Sequence, residues 1–117
     1  MINVTTQKNS SIIEIVINGK FDETDINTFE EAIRQKITEQ EPVNLLITAK
    51  NMEGVTLRGI VESLKMFRYL KSIKKAAVIT DQTWVKIDAK LENLLPGIKI
   101  DYFTPDHAKA ACEWLED

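Results

Sequence analysis

Nucleophilic catalysis needs a thiolate or hydroxyl within hydrogen-bond reach of a base. This sequence offers one cysteine, Cys112, and one histidine, His107. Five residues apart on one helix, they stand about 140° apart around its axis. Cys112 falls on the apolar stripe of that helix and reads as a small buried hydrophobe. His107 falls in the first turn, where the helix dipole disfavours an imidazolium, and reads as a solvated or capping side chain. One histidine and one core cysteine cannot assemble an ordinary zinc site. Carboxylates are plentiful, but no spacing pairs them for acid/base work. The four glycines, Gly19, Gly54, Gly59 and Gly97, are isolated, and neither a P-loop nor a G-x-G-x-x-G run is present. The expectation is a protein that is not an enzyme and carries no cofactor.

Binding chemistry has a clearer address. From Leu45 to Leu70 a buried strand runs into the loop Ala49-Lys50-Asn51-Met52-Glu53-Gly54-Val55-Thr56 and then into a helix. The first amides of a helix point at whatever lies above them, so a strand that empties into a helix N-terminus makes a small polar site. Thr56 suits the N-cap. Leu57, Ile60, Val61, Leu64 and Phe67 form the core stripe of this helix. At 100° per residue, Met66 and Tyr69 fall on its outer side near Glu62 and Lys65. The set Arg58, Lys65, Arg68, Lys71, Lys74 and Lys75 is the one charge asymmetry; it suits an acidic protein or an anionic lipid surface, or a solvated helix whose last turn carries cations.

The elements that position these residues follow from periodicity. Ile2, Val4 and Thr6 alternate with Asn3, Thr5 and Gln7, as in a half-exposed edge strand. Asn9-Ser10-Ser11 makes a turn into Ile12–Ile17, which is apolar on both sides apart from Glu14 and reads as an interior strand covered by helices. Asp22 reads as an N-cap, with Phe21 and Ile26 as a hydrophobic staple. Ile26, Phe29, Ile33 and Ile37 then give the stripe of a helix through about Gln40, stopped by Pro42. Val43–Thr48 is a central strand. Lys74-Lys75 leads into the strand Ala76–Thr80. Trp84, Ile87, Leu91 and Leu94 or Leu95 mark a third helix that Pro96-Gly97 ends. Ile98, Ile100 and Tyr102 mark a second edge strand. Thr104 is a cap followed by Pro105 at the first helical position, and Ala108, Ala111, Cys112 and Leu115 line the last helix. The order ββαβαβαβα predicts one α/β domain over residues 1–117: a mostly parallel five-stranded sheet with one antiparallel edge strand, packed with four helices.

Bulk numbers narrow the class. The 117 residues suffice for a core without disulfides, and 44% hydrophobic with 28% charged residues is an ordinary globular balance. A net charge of -3 disfavours nucleic acid, whose binding rests on a cationic surplus. No apolar run reaches the roughly 20 residues of a membrane span, and Met1-Ile2-Asn3-Val4 lacks a signal-peptide pattern. The expected compartment is the cytoplasm.

Read together, the element order, Gly54 in the loop after the third strand, Ala77-Val78-Ile79-Thr80-Asp81 followed by Trp84, the strand end Tyr102-Phe103, and the closing Ala111-Cys112-Glu113-Trp114-Leu115 resemble the SpoIIAA-like (STAS-like) family, related to the CRAL-TRIO lipid carriers. The resemblance implies a small binding scaffold. In the anti-anti-sigma factors of the wider class a serine before the second helix is phosphorylated by a partner kinase, which changes binding electrostatically. Here the loop lacks the Asp-Ser-Gly arrangement, and Thr56 is its only hydroxyl. The expected function is a binding module that engages a protein partner or a second copy through Met52, Gly54 and Thr56 of the loop and Met66 with Tyr69. The lipid-carrier side of the resemblance implies the alternative, a carrier of an apolar or anionic lipid-like ligand, with Met52, Thr56 and Trp84 at the site.

Overall fold

Backbone hydrogen bonding in a βαβ chain is satisfied by side-by-side strands with crossovers between them, and the computed structural model follows this rule. It describes residues 2–6, 10–19, 22–39, 42–51, 72–80 and 97–116. The elements are β1 (Ile2–Thr6), β2 (Ile12–Asn18), α1 (Glu23–Glu39), β3 (Val43–Lys50), β4 (Ile73–Ile79), β5 (Lys99–Phe103), a 3-10 turn (Pro105–His107) and α2 (Ala108–Glu116). The sheet runs β1-β2-β3-β4-β5. β1 pairs antiparallel with β2, Ile2 opposite Ile17 and Thr6 opposite Ile13, and the other three pairings are parallel. The expected five-stranded, mostly parallel sheet with an antiparallel edge strand is therefore present. The stretches expected to form the helices after Thr56 and after Thr83 lie outside the described residues, which hold two α-helices.

α1 starts where its acids dictate. The Asp22 carboxylate accepts the Asp25 amide at 3.0 Å, and Asp25 returns Oδ2 to the Asp22 amide at 3.1 Å. This is a reciprocal capping box with aspartate in the glutamate position. Phe29 and Ile33 are fully buried and Ile26 and Ile37 partly so, as the stripe predicts; Phe21 of the staple lies outside the described residues. Their side of the sheet is a hydrocarbon cluster with Ile13, Ile15, Ile17, Val43, Leu45, Ile47, Ala76 and Val78. Among the described residues the opposite side holds a smaller cluster, Leu46, Ala77 and Ile79 against Ala111 and Leu115 of α2.

Three expectations need correction. β2 is interior by pairing, but only Ile13, Ile15 and Ile17 are buried; Ile12 and Val16 on its other side are half-buried and Glu14 is exposed. Of the described helices, α2 packs on that side chiefly against β4, β3 and β5. β4 begins at Ile73 rather than Ala76, because a bulge absorbs the lysine pair. Val43 pairs with Ile73 and the next residue, Asn44, with Lys75, so Lys74 is the extra residue. A bulge inverts the side-chain alternation, which lets Ile73, Ala76 and Val78 all join the α1-side cluster. Cys112 is half-buried at the margin of the α2-side cluster rather than inside it.

Lys75 is correspondingly buried, at 7% exposure, and belongs to no exposed basic set. Its Nζ donates to the Trp114 carbonyl at 2.9 Å and lies 5.1 Å from the centroid of the Trp114 ring. Asn44 Nδ2 donates to the Leu115 carbonyl at 3.1 Å. Two strand side chains thus hold the last carbonyls of α2, where a cation also complements the helix dipole.

Candidate functional site

In a parallel sheet all strands deliver their carboxyl ends to one rim, and ligand sites of such sheets gather there. Here the rim is formed by Asn18-Gly19, Lys50-Asn51, Ile79-Thr80 and Phe103-Thr104. Gly19, at φ 75°, turns the chain out of β2 while its amide donates to the Lys50 carbonyl at 3.0 Å. Asn51 leaves β3 at φ 47°, a left-handed conformation that asparagine tolerates better than most residues. Its Nδ2 donates to Asn18 Oδ1 at 3.4 Å, tying the two strand ends together. The Thr80 amide donates to the Phe103 carbonyl at 3.0 Å, which extends the β4–β5 pairing past the end of β4.

Between these ends lies a cleft of about 210 Å³, lined by Thr48, Ala49, Lys50, Asn51, Ile79, Thr80 and Pro105. Among its described walls Ala49, Ile79 and Pro105 are apolar, and the polar side chains are two hydroxyls, one amide and one ammonium. Among the described lining residues there is neither imidazole nor carboxylate. Such a set can hold a polar group beside hydrocarbon.

His107 and Asp106, beside Pro105, are engaged in the turn that follows β5. Thr104 Oγ1 and His107 Nδ1 share a hydrogen bond of 2.7 Å, and the His107 amide donates to the Thr104 carbonyl at 2.9 Å. His107 is exposed and sits in the 3-10 turn before α2, in keeping with a solvated or capping role. Asp106 is held below the ordinary carboxylate range by its own backbone amide and then by the Thr104 hydroxyl. Burial, with Glu14, Glu116 and Glu113 nearby, pushes the Cys112 thiol up, which opposes thiolate formation. Among the described residues no three potential ligands cluster for a metal, and no helix is long and apolar enough to cross a membrane.

All six residues selected from the sequence as a contact site, Met52, Gly54, Thr56, Met66, Tyr69 and Trp84, lie outside the described residues, as do Arg58, Lys65, Arg68 and Lys71 of the basic set. The described structure brings together the rim on which their loop begins. Sequence reasoning overlooked Thr48, Thr80 and Pro105. Thr48 and Thr80 are signalled only by a position at the end of a strand pattern and Pro105 only as a first-turn proline, and the contact joins residues far apart in the chain. A larger groove, about 560 Å³, lies elsewhere, between β1 and one flank of α1; Val4, Thr6, Thr24, Thr28, Gln35 and Lys36 are among its walls.

The SpoIIAA-like family profile matches residues 12–116. The chain belongs to the SpoIIAA-like family. A crystal structure of an uncharacterized protein with a SpoIIAA-like fold from Shewanella loihica PV-4 superposes with a TM-score of 0.71. The two are 17% identical, and the alignment covers 98% of this chain and 92% of that one, so the likeness is one of fold. No curated protein matches the sequence. Strand β1 precedes the part matched to the SpoIIAA-like family and is nevertheless paired in register with β2.

Proposed function

We propose that this SpoIIAA-like protein is a non-enzymatic binding module that takes a protein partner at the carboxyl rim of its sheet, through the loop that begins at Asn51. The observation that supports this reading is the cleft between β3 and β4. At about 210 Å³ it is smaller than the roughly 300–1,000 Å³ of small-molecule pockets, and its size and lining suit one side chain of a partner. Met52, Gly54 and Thr56 continue the chain from Asn51, and Met66 with Tyr69, which the sequence periodicity puts on one side of the expected next helix, would add apolar anchors to the contact. The carrier reading has less support. Its sequence-selected residues, Met52, Thr56 and Trp84, lie outside the described residues, and the rim cleft, at about 210 Å³, is small for an acyl chain.

The test is recovery of co-purifying proteins by wild type and by Met66→Asp/Tyr69→Asp, with circular dichroism confirming the fold of both. Loss of a reproducible partner, and an affinity lowered by about tenfold or more for that partner once purified, is expected of hot-spot residues. An identical partner set and affinity would remove the proposal. Native mass spectrometry of gently purified protein checks the carrier alternative, which a retained lipid mass would revive.

A further inference from the structure

The two edges of the sheet are finished in different ways. β5 carries Lys99 and Asp101, both exposed, and Asp101 Oδ1 accepts the Tyr102 amide at 2.8 Å. Charges and local capture of amides are how edge strands avoid further pairing. β1 reads Ile-Asn-Val-Thr-Thr, with no charge and no proline, and its five residues pair with β2 without a bulge. Among the described residues β2 is its only strand neighbour, and its outward amides and carbonyls have no ladder partner there. α1 does not close over this edge, since the groove between them opens along Val4 and Thr6.

We infer that β1 pairs with β1 of a second copy of this chain, antiparallel and centred on Val4, joining two sheets into one. The strand is complementary to itself in that arrangement. Centring on Val4 keeps all five residues paired, with Val4 opposite Val4, Ile2 opposite Thr6 and Asn3 opposite Thr5. Every directly opposed pair then combines β-branched or hydrogen-bonding side chains, and no like charges meet. Asn3 and Thr5 are exposed and Ile2 and Val4 half-buried. The strand can therefore gain a neighbour without the fold rearranging. The contact lies two strands away from the β3–β4 cleft and leaves it open, so this inference stands or falls apart from the proposed function.

Sedimentation velocity of the full chain over a concentration series tests it. Wild type is expected to reach twice the 13.3 kDa chain mass. Asn3→Lys/Thr5→Lys places lysine opposite lysine in both symmetric pairs and is expected to be monomeric, as is Asn3→Glu/Thr5→Glu. An equimolar mixture of the two opposes lysine to glutamate and is expected to recover the dimer. Both sites are exposed, and circular dichroism confirms folding. A second measurement fixes the register: in a Cys112→Ala background, Val4→Cys should form an intermolecular disulfide under mild oxidation and Thr6→Cys should not. A monomeric wild type, a dimer that survives the lysine pair, a mixture that stays monomeric, or equal cross-linking at Val4 and Thr6 would each overturn the inference.

Discussion

On one face of the sheet Phe29 and Ile33 of α1 are fully buried against Ile13, Ile15, Ile17 and Leu45; on the other, Ala111 and Leu115 of α2 meet Leu46, Ala77 and Ile79, and two polar side chains complete the contact. The first helix runs 17 residues and presents a long apolar stripe. The second runs nine, and its buried residues are one alanine and one leucine. Among the described residues less hydrocarbon meets α2, and direct hydrogen bonds from Asn44 and Lys75 to its last carbonyls make up part of the difference. Removing a methylene and removing a hydrogen bond should therefore have different consequences on the two faces.

The largest effect is expected from Phe29→Ala, which leaves a cavity on the α1 side and should cost about 3–5 kcal/mol in urea denaturation. A loss under about 1 kcal/mol would show that α1 is not the main hydrophobic anchor. Lys75→Met is next. It withdraws a charged donor from the Trp114 carbonyl, for a loss of about 1.5–3 kcal/mol. Hydrogen exchange sharpens the contrast, because amides of α2 should exchange faster while those of β2 keep their protection. Uniform acceleration across the sheet would mean that the two faces are not held independently.

A smaller effect belongs to the start of α1. The Asp25 amide, with help from the Asp25 side chain and the Thr24 amide, holds the Asp22 carboxyl below the ordinary range. A depressed folded-state pKa contributes stability above the ordinary value of about 3.9, and the contribution disappears as pH falls through the lowered one. Asp22→Asn keeps an N-cap acceptor and removes the titration. The urea midpoint of the variant should therefore lose part of its dependence on pH in the acid range. Smallest is Cys112: with its thiol pushed up by burial and neighbouring glutamates, its alkylation rate should keep rising beyond the pH at which a free thiol levels off.

Much of this fold is legible in the sequence because its signals are local. The alternation of Ile2, Val4 and Thr6 marks β1, the spacing of Ile26, Phe29, Ile33 and Ile37 marks the buried side of α1, and Asp22 marks its start. The capping partner Asp25 is three residues from Asp22, within reach of any helix that begins there. Lys74-Lys75 misled for the opposite reason. Two lysines read as solvent-exposed until Trp114 is known to present its carbonyl and its ring to the second of them. The cleft at the strand ends escaped the sequence because Lys50, Thr80 and Pro105 converge only once β3 and β4 lie side by side.

Composition and periodicity by themselves determined that this chain forms parallel βα units with an antiparallel strand at the start, since the 2.0 and 3.6 repeats are properties of neighbouring residues. Tertiary structure alone decided the strand order, the bulge at Lys74, the burial of Lys75 and which strands stand at the edges of the described sheet. Each of those depends on which distant segment lies alongside, and the free energy of such a contact is written in no single stretch of the chain.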